Sequence, residues 1–152
     1  MFTEDVLHRI DRSVLCWLAT TSQDGVPNVS PKEIFVAANN DTLLIANVAS
    51  PQSAANIRRN PYVCAAFVDI LVQKGFQVFG TAQMIKKTHD EFAALSAPLL
   101  QITAGKFPFD TIFKITATRV KPILAPRYIL YPETTEAEQI ADAMKAYRLD
   151  GS

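Results

Sequence analysis

Read for hydrophobic and polar periodicity, the chain begins as a helix and continues as a meander of strands. Thr3 can cap a short first helix whose apolar positions Val6, Leu7 and Ile10 follow helical spacing. The run "SVLCWLATT" is continuously apolar and ends at the turn signal Gln23-Asp24-Gly25, the pattern of a strand buried on both faces. Asp-Gly favours a tight hairpin into a second strand from Val26 to Ala38, and Asn39-Asn40-Asp41 makes the next turn into "TLLIANV". "SPQSAANIRRNP" carries a helix start and stop, with Ser50 as cap, Pro51 at the first helical position and Pro61 at the end. "YVCAAFVDI" and "FQVFGTAQMIKK" follow as strands, and Gly80 marks a bulge or a close approach of backbone in the second of them.

A further helix is expected from Thr88 or Asp90 through "EFAALSAPLLQITAG", broken at Pro98 and stopped at Gly105. "TIFKITATRVKPIL" alternates, with Phe113, Ile115, Ala117 and Arg119 on one face. Thr135-x-x-Glu138 reads as a capping box opening a last helix with Ala137, Ile140, Ala141 and Met144 on one stripe. The pattern predicts a mainly β domain spanning residues 1–152, an antiparallel sheet of six strands that closes on itself. Peripheral helices would cover the barrel ends or a dimer face.

One stretch resists this pattern. "SPKEIF" places Pro31, Lys32 and Glu33 inside an otherwise apolar strand, which resumes at once with Ile34 and Phe35. A solvated edge is one explanation; a lysine turned toward a ligand is the other. In a regular pleat Lys32 and Glu33 face opposite sides, so they do not simply pair with each other.

Bulk composition narrows the function classes. Lysine plus arginine equals aspartate plus glutamate, 15 against 15, which argues against a nucleic-acid surface. The N-terminal "MFTEDVLHRIDRS" lacks the basic and apolar regions of a signal peptide, and no uncharged apolar stretch is long enough to span a membrane. A soluble, cytoplasmic protein is the expectation. Cys16 and Cys64 lie in strongly apolar runs and read as small core residues, with a disulfide or redox pair as the alternative; Trp17 reads as core rather than a stacking platform. The two histidines, His8 and His89, form no metal-binding spacing, and no nucleophile elbow or phosphate loop is present.

Three polar clusters can carry chemistry. Ser50, Gln52, Ser53 and Asn56 surround a helix start, where free N–H groups and a partial positive charge suit an anion; ordinary capping with no ligand is the commoner reason for such residues. Lys32 can supply a point charge to a phosphate, or pair with a distant acid. Lys74, Gly75 and Gln77 offer a cation, a flexible backbone and an amide, or else a plain solvated turn.

In order, "DGVPNVSPKEIF", "DTLLIANVASPQSAANIRRNP" and "KGFQVFGTAQMI" resemble the FMN-binding split-barrel family, which includes pyridoxamine 5′-phosphate oxidases and many small flavin-binding relatives. The similarity runs from Ser13 to Leu124, and the short subgroup sharing "SPKEIF" and a "TTEAEQIADAM"-like last helix is nearest. The resemblance implies a homodimer with FMN at the subunit interface and a small-molecule redox substrate. By position it places Gln52, Ser53 and Asn56 at the phosphate with Ser50 as cap, and Ser30, Pro31 and Lys32 beside the flavin. It also sets Asn47 and Val48 along the ring, adds Lys74 and Gln77 as polar contacts, and leaves a partner's segment around Phe107 to Phe113 to complete the site. The oxidases usually carry Arg-Lys where this chain has Gln52-Ser53, and "RYILYPETTEAEQ" does not match their substrate-gripping segment. The resemblance therefore implies a flavin oxidoreductase that does not act on pyridoxamine phosphate. A non-enzymatic flavin carrier, a split barrel binding haem or a deazaflavin, and an interaction protein with an empty site are the alternatives. No residue stands out as catalytic.

Overall fold

The computed structural model describes residues 1–151. Helix α1 (Glu4–Arg12) leads into β1 (Cys16–Thr21), β2 (Pro27–Lys32), β3 (Phe35–Ala37) and β4 (Thr42–Ala46). Then come α2 (Pro51–Arg59), β5 (Tyr62–Asp69), β6 (Lys74–Lys86), α3 (Phe92–Thr103) and β7 (Thr111–Leu124), followed by α4 (Pro126–Leu130) and α5 (Glu136–Ala146). The strands form one antiparallel sheet in the order β2-β1-β5-β6-β7-β4-β3.

The sheet has seven strands, not the six expected, because the strand read from Val26 to Ala38 is two. Pro27 and Pro31 cannot donate to a ladder, which confines β2 to a sheet edge. Glu33 and Ile34 fall outside both strands, and the chain continues at the opposite edge as β3, where the Ile34 carbonyl already accepts from Ala46 N at 2.9 Å. Strands at the two ends of the sheet are thus joined by two residues. Such a short link requires the sheet to curl until its edges approach, giving a half-barrel split at "SPKEIF".

Two further expectations change. Strand β1 is not buried on both faces: Cys16, Leu18 and Thr20 point inward, while Trp17 is 49% exposed on the outer face. Both of its faces are apolar in sequence, so periodicity carried no signal there. Cys64 shares the half-exposed outer side, and both cysteines are free thiols.

Helix α3 begins at Phe92, later than expected, and runs through Pro98 to a left-handed Ala104 at φ 48° rather than stopping at Gly105. Phe92, Leu95 and Leu99 pack into a second core with Leu44, Ala46 and Ile112, and that burial holds the helix together across the proline. The capping box at Thr135 is formed, with Glu138 Oε2 accepting from Thr135 N at 2.8 Å, but α5 buries Gln139 and Ala143 and exposes Ala137 and Ala141.

The main core fills the inner face of the half-barrel and includes Leu18, Ile45, Phe67, Val78 and Phe113. Phe35 and Phe67 meet edge to face at 5.2 Å, locking the short β3 onto that core. Gly80 sits at a register shift between β6 and β7, where a Cβ would lie 2.2 Å from the Thr116 carbonyl oxygen. Among the described residues no helix is long and apolar enough to cross a membrane.

Candidate functional site

The corner where β2 ends against the start of α2 collects most of the predicted residues. Lys32 is the last residue of β2, paired across the ladder with Cys16, and points to the inner side with 4% exposure. Its Nζ donates to Ser30 Oγ at 2.9 Å and to Ser50 Oγ. Among the described residues no carboxylate lies within ion-pair distance of it. Burial lowers the Lys32 pKa, because the ammonium is stripped of water without a full counter-charge. The neighbouring Cys16 thiol is pushed up to about 12 by burial, with the Lys32 charge pulling weakly the other way, so it stays protonated and inert.

Approach to α2 is strained. Ala49 adopts φ 51°, a left-handed conformation that costs a residue with a Cβ about 1 kcal/mol. Ser50 occupies the N-cap position, yet its hydroxyl does not cap the helix as expected. It turns instead to Lys32 and donates to the Val48 carbonyl at 3.3 Å. With Pro51 offering no N–H, the N–H groups of Gln52 and Ser53 remain without intrahelical acceptors, and a partial positive charge gathers there.

Among the described residues, two buried side-chain polar atoms have no hydrogen-bond partner: Ser53 Oγ and Asn47 Oδ1. Each lone group costs about 1–3 kcal/mol when left unmade. Both belong to the residues expected at a cofactor, one in the first turn of α2 and the other at the end of β4. Gln52 and Asn56 are also at this corner, joined to each other and to Thr20 on β1. Pro31, Lys32, Glu33, Ile34, Ala46, Val48 and Phe107 line a cleft of about 220 Å³ beside Lys32, and its lining includes neither Asn47 nor the first turn of α2. Larger clefts of about 670 and 720 Å³, between α1 and α3 and beside Trp17, hold none of the expected cofactor residues.

Lys74 and Gln77 lie elsewhere. Lys74 Nζ is 2.9 Å from Glu136 Oε1 and sits 4.5 Å above the Tyr128 ring. Gln77 pairs with Ala66 and Lys121 on β6, with β5 and β1 standing between it and β2. One chain therefore brings together Ser30, Lys32 and Ser50 directly, adds Asn47, Val48, Gln52, Ser53 and Asn56 around them, and leaves Lys74 and Gln77 apart. Sequence reading missed Thr20 and Ala49. Thr20 is an ordinary strand residue thirty-six positions from its partner, and an alanine gives no hint of a left-handed turn.

Chemically, a buried cation, free helix N–H groups and an unpaired hydroxyl make an anion site of the kind that suits a phosphate monoester. Asn47 Oδ1, between Ala46 and Val48 in sequence, adds a buried unpaired acceptor, which suits the N–H edge of a polar ring. These residues fit FMN. No group of His, Cys, Asp or Glu side chains able to hold a metal exists among the described residues.

Comparisons with known proteins agree on the architecture. Group A Streptococcus HupZ superposes with a TM-score of 0.68 at 23% identity, covering 79% of this chain and 92% of that one. An FMN-binding protein from Syntrophomonas wolfei gives 0.65 at 14% identity, with 78% and 86% covered. HutZ, the heme storage protein from Vibrio cholerae, gives 0.66 at 18% identity, with 81% and 96% covered. At these identities the likeness shows a shared fold. No curated protein matches the sequence. A profile of the pyridoxamine 5′-phosphate oxidase family matches residues 2–141, nearly the whole length, and the chain belongs to that family.

Proposed function

We propose that the protein is an FMN-binding flavoprotein, a homodimer that acts as an oxidoreductase on a small molecule other than pyridoxamine phosphate. The observation that carries this reading is Lys32: a buried ammonium that donates to the Ser30 and Ser50 hydroxyls and, among the described residues, forms no ion pair, close to the start of a helix whose Ser53 hydroxyl is unpaired. A dianionic phosphate would neutralise the one and satisfy the other.

Lys32, Ser53 and the N–H groups of Gln52 and Ser53 would hold the phosphate. Asn47 would orient the ring, and Val48 would exclude water from one side of it. FMN, when bound, supplies the hydride or electron chemistry. Pyridoxamine phosphate is a poor fit because the segment that would grip it folds here into α4 and the cap of α5, with Arg127 engaged by Asp142. The homodimer draws support from the outer face of the sheet, where Trp17, Val29 and Tyr62 are exposed on the neighbouring strands β1, β2 and β5. Haem is less well served: His8 and His89 stand on α1 and beyond β6, and His89 Nδ1 already accepts from Lys86 N at 3.1 Å.

An absorption spectrum of the purified protein, with mass identification of the released cofactor, separates flavin, deazaflavin and haem. Lys32→Ala is expected to weaken FMN binding by about 1–3 kcal/mol, roughly 5- to 150-fold, in a fluorescence titration. Unchanged affinity would remove Lys32 from the site. Rapid, substrate-specific reoxidation of the reduced protein marks an enzyme, whereas slow, indiscriminate reoxidation by oxygen marks a carrier.

A further inference from the structure

A chain of neutral side chains runs from the interior of the sheet to the first turn of α2. It starts at Thr20, on the inner face of β1 and 1% exposed. Thr20 Oγ1 accepts from Asn56 Nδ2 at 2.9 Å, a bond closed off from solvent. Asn56 is 3% exposed, and its Oδ1 accepts in turn from Gln52 Nε2 at 2.9 Å. Gln52 and Asn56 are one helical turn apart, so they share a face. The last member of the chain, Gln52, is exposed at the helix mouth beside the unpaired N–H groups.

Packing alone does not call for a hydroxyl at position 20. The inner face of β1 is otherwise apolar, with Cys16 and Leu18 fully buried, and valine has the same shape as threonine. What the hydroxyl does is give one end of a buried amide its partner, which anchors the Asn56 side chain in place. Asn56 then holds an exposed glutamine in one rotamer. A free glutamine side chain loses up to about 2 kcal/mol of rotamer freedom when it is ordered. Here that ordering is met during folding, before any ligand arrives.

We propose that Thr20 is a positioning residue for the anion site: through Asn56 it pre-orients the Gln52 side chain and the first turn of α2 toward a bound phosphate. The proposal rests on the FMN reading for the identity of the ligand, but the relay itself belongs to the ligand-free chain. Neither Thr20 nor Asn56 needs to touch the phosphate, since both polar groups of the Asn56 side chain are already engaged within the protein.

The test compares wild type, Thr20→Val and Thr20→Ser as full-length chains. The side-chain amide resonances of Gln52 and Asn56, followed by hydrogen exchange without ligand, report the relay directly. FMN and riboflavin titrations report the phosphate. Thr20→Val is expected to abolish the exchange protection of both amides and to weaken FMN binding about fivefold, while riboflavin binding stays as in wild type. Thr20→Ser restores both. Equal amide protection in Thr20→Val and wild type overturns the proposal, as does an equal loss of FMN and riboflavin affinity. A wild-type chain that binds neither flavin overturns the FMN reading instead, and amide exchange then decides the relay alone. Should Thr20→Val not fold, Thr20→Cys keeps the volume, weakens the acceptor and is read in the same way.

Discussion

Lys32 closes β2 and Lys74 opens β6, and in sequence the two look alike: a lysine at a strand end, next to an apolar run. The fold gives them opposite surroundings. Lys74 is partly solvated and joins a mesh of opposite charges, with Glu136 at 2.9 Å and Arg9 linking Glu136 to Asp5 and Asp69. Tyr128 lies beneath it and donates its own hydroxyl to the Val72 carbonyl at 2.7 Å. Lys32 is buried and meets only hydroxyls. A neutralised lysine docks one part of the chain on another, here α4 and α5 on the sheet. An unneutralised one leaves an electrostatic demand that a ligand can meet, and that difference is better evidence of function than the residue type.

The sharpest way to break the comparison is Lys32→Met. FMN affinity should fall by about 1–3 kcal/mol, while the ligand-free protein stays as stable or gains up to about 1 kcal/mol, because an uncompensated buried charge is gone. Urea unfolding beside an FMN titration reads both; a large loss of stability would make Lys32 a structural residue like Lys74. Ser53→Ala should show the same opposition on a smaller scale. It removes a buried hydroxyl that nothing in the protein satisfies, so apo stability holds or rises while FMN affinity drops by about 1 kcal/mol. An apo protein destabilised by this change would mean that Ser53 already has a partner.

The two corners should also respond differently to pH. Lys32 has a lowered pKa through burial, so the folded chain releases this proton before the unfolded one does. Its contribution to stability is therefore full above the ordinary lysine value and falls away as pH drops through the lowered value, while FMN binding weakens as pH rises through the same window. Apo unfolding and FMN titrations in alkaline buffers check the two opposed slopes, which Lys32→Met should flatten.

The smallest effect belongs to the other corner. Glu136 has a lowered pKa, first through its hydrogen bond with Lys74 and then through the Lys74 and Arg9 charges. Its contribution is present above the ordinary glutamate value and is lost as pH falls through the lowered one. Glu136 is half exposed, so about 0.5 kcal/mol is at stake. Lys74→Ala should remove that acid-side slope and loosen α5 in hydrogen exchange, with a smaller cost in FMN affinity than Lys32→Ala. An acid limb identical to wild type would dissolve the proposed dock.

Much of the candidate corner was legible because its residues are close in sequence. Ser50, Gln52, Ser53 and Asn56 fall within two turns of one helix, whose start and stop Pro51 and Pro61 announce, and Lys32 stands out as a charge in an apolar strand. What the residues do there was less legible. Ser50 reads as a cap and instead accepts from Lys32, since a hydroxyl serves the partner that folding brings within reach. Thr20 could not be found, because its bond to Asn56 joins two elements whose contact no local pattern encodes. Trp17 was misplaced because an apolar outer face looks the same in sequence as a buried one.

By itself the sequence determined α1, α2 and α5, the turns at Asp24-Gly25 and Asn39-Asn40-Asp41, the irregularity at Gly80 and the family, since each depends on propensities and spacings acting over a few residues; α4 and the break between β2 and β3 carried no such signal. Only the tertiary structure decided that "SPKEIF" is the seam of the barrel. A proline-bearing strand can be read as an edge, but which edge the chain joins next is set by how the whole sheet curls. The same curl decided the fates of the two lysines. A charge is neutralised by what lies near it in space, and strands far apart in sequence choose those neighbours.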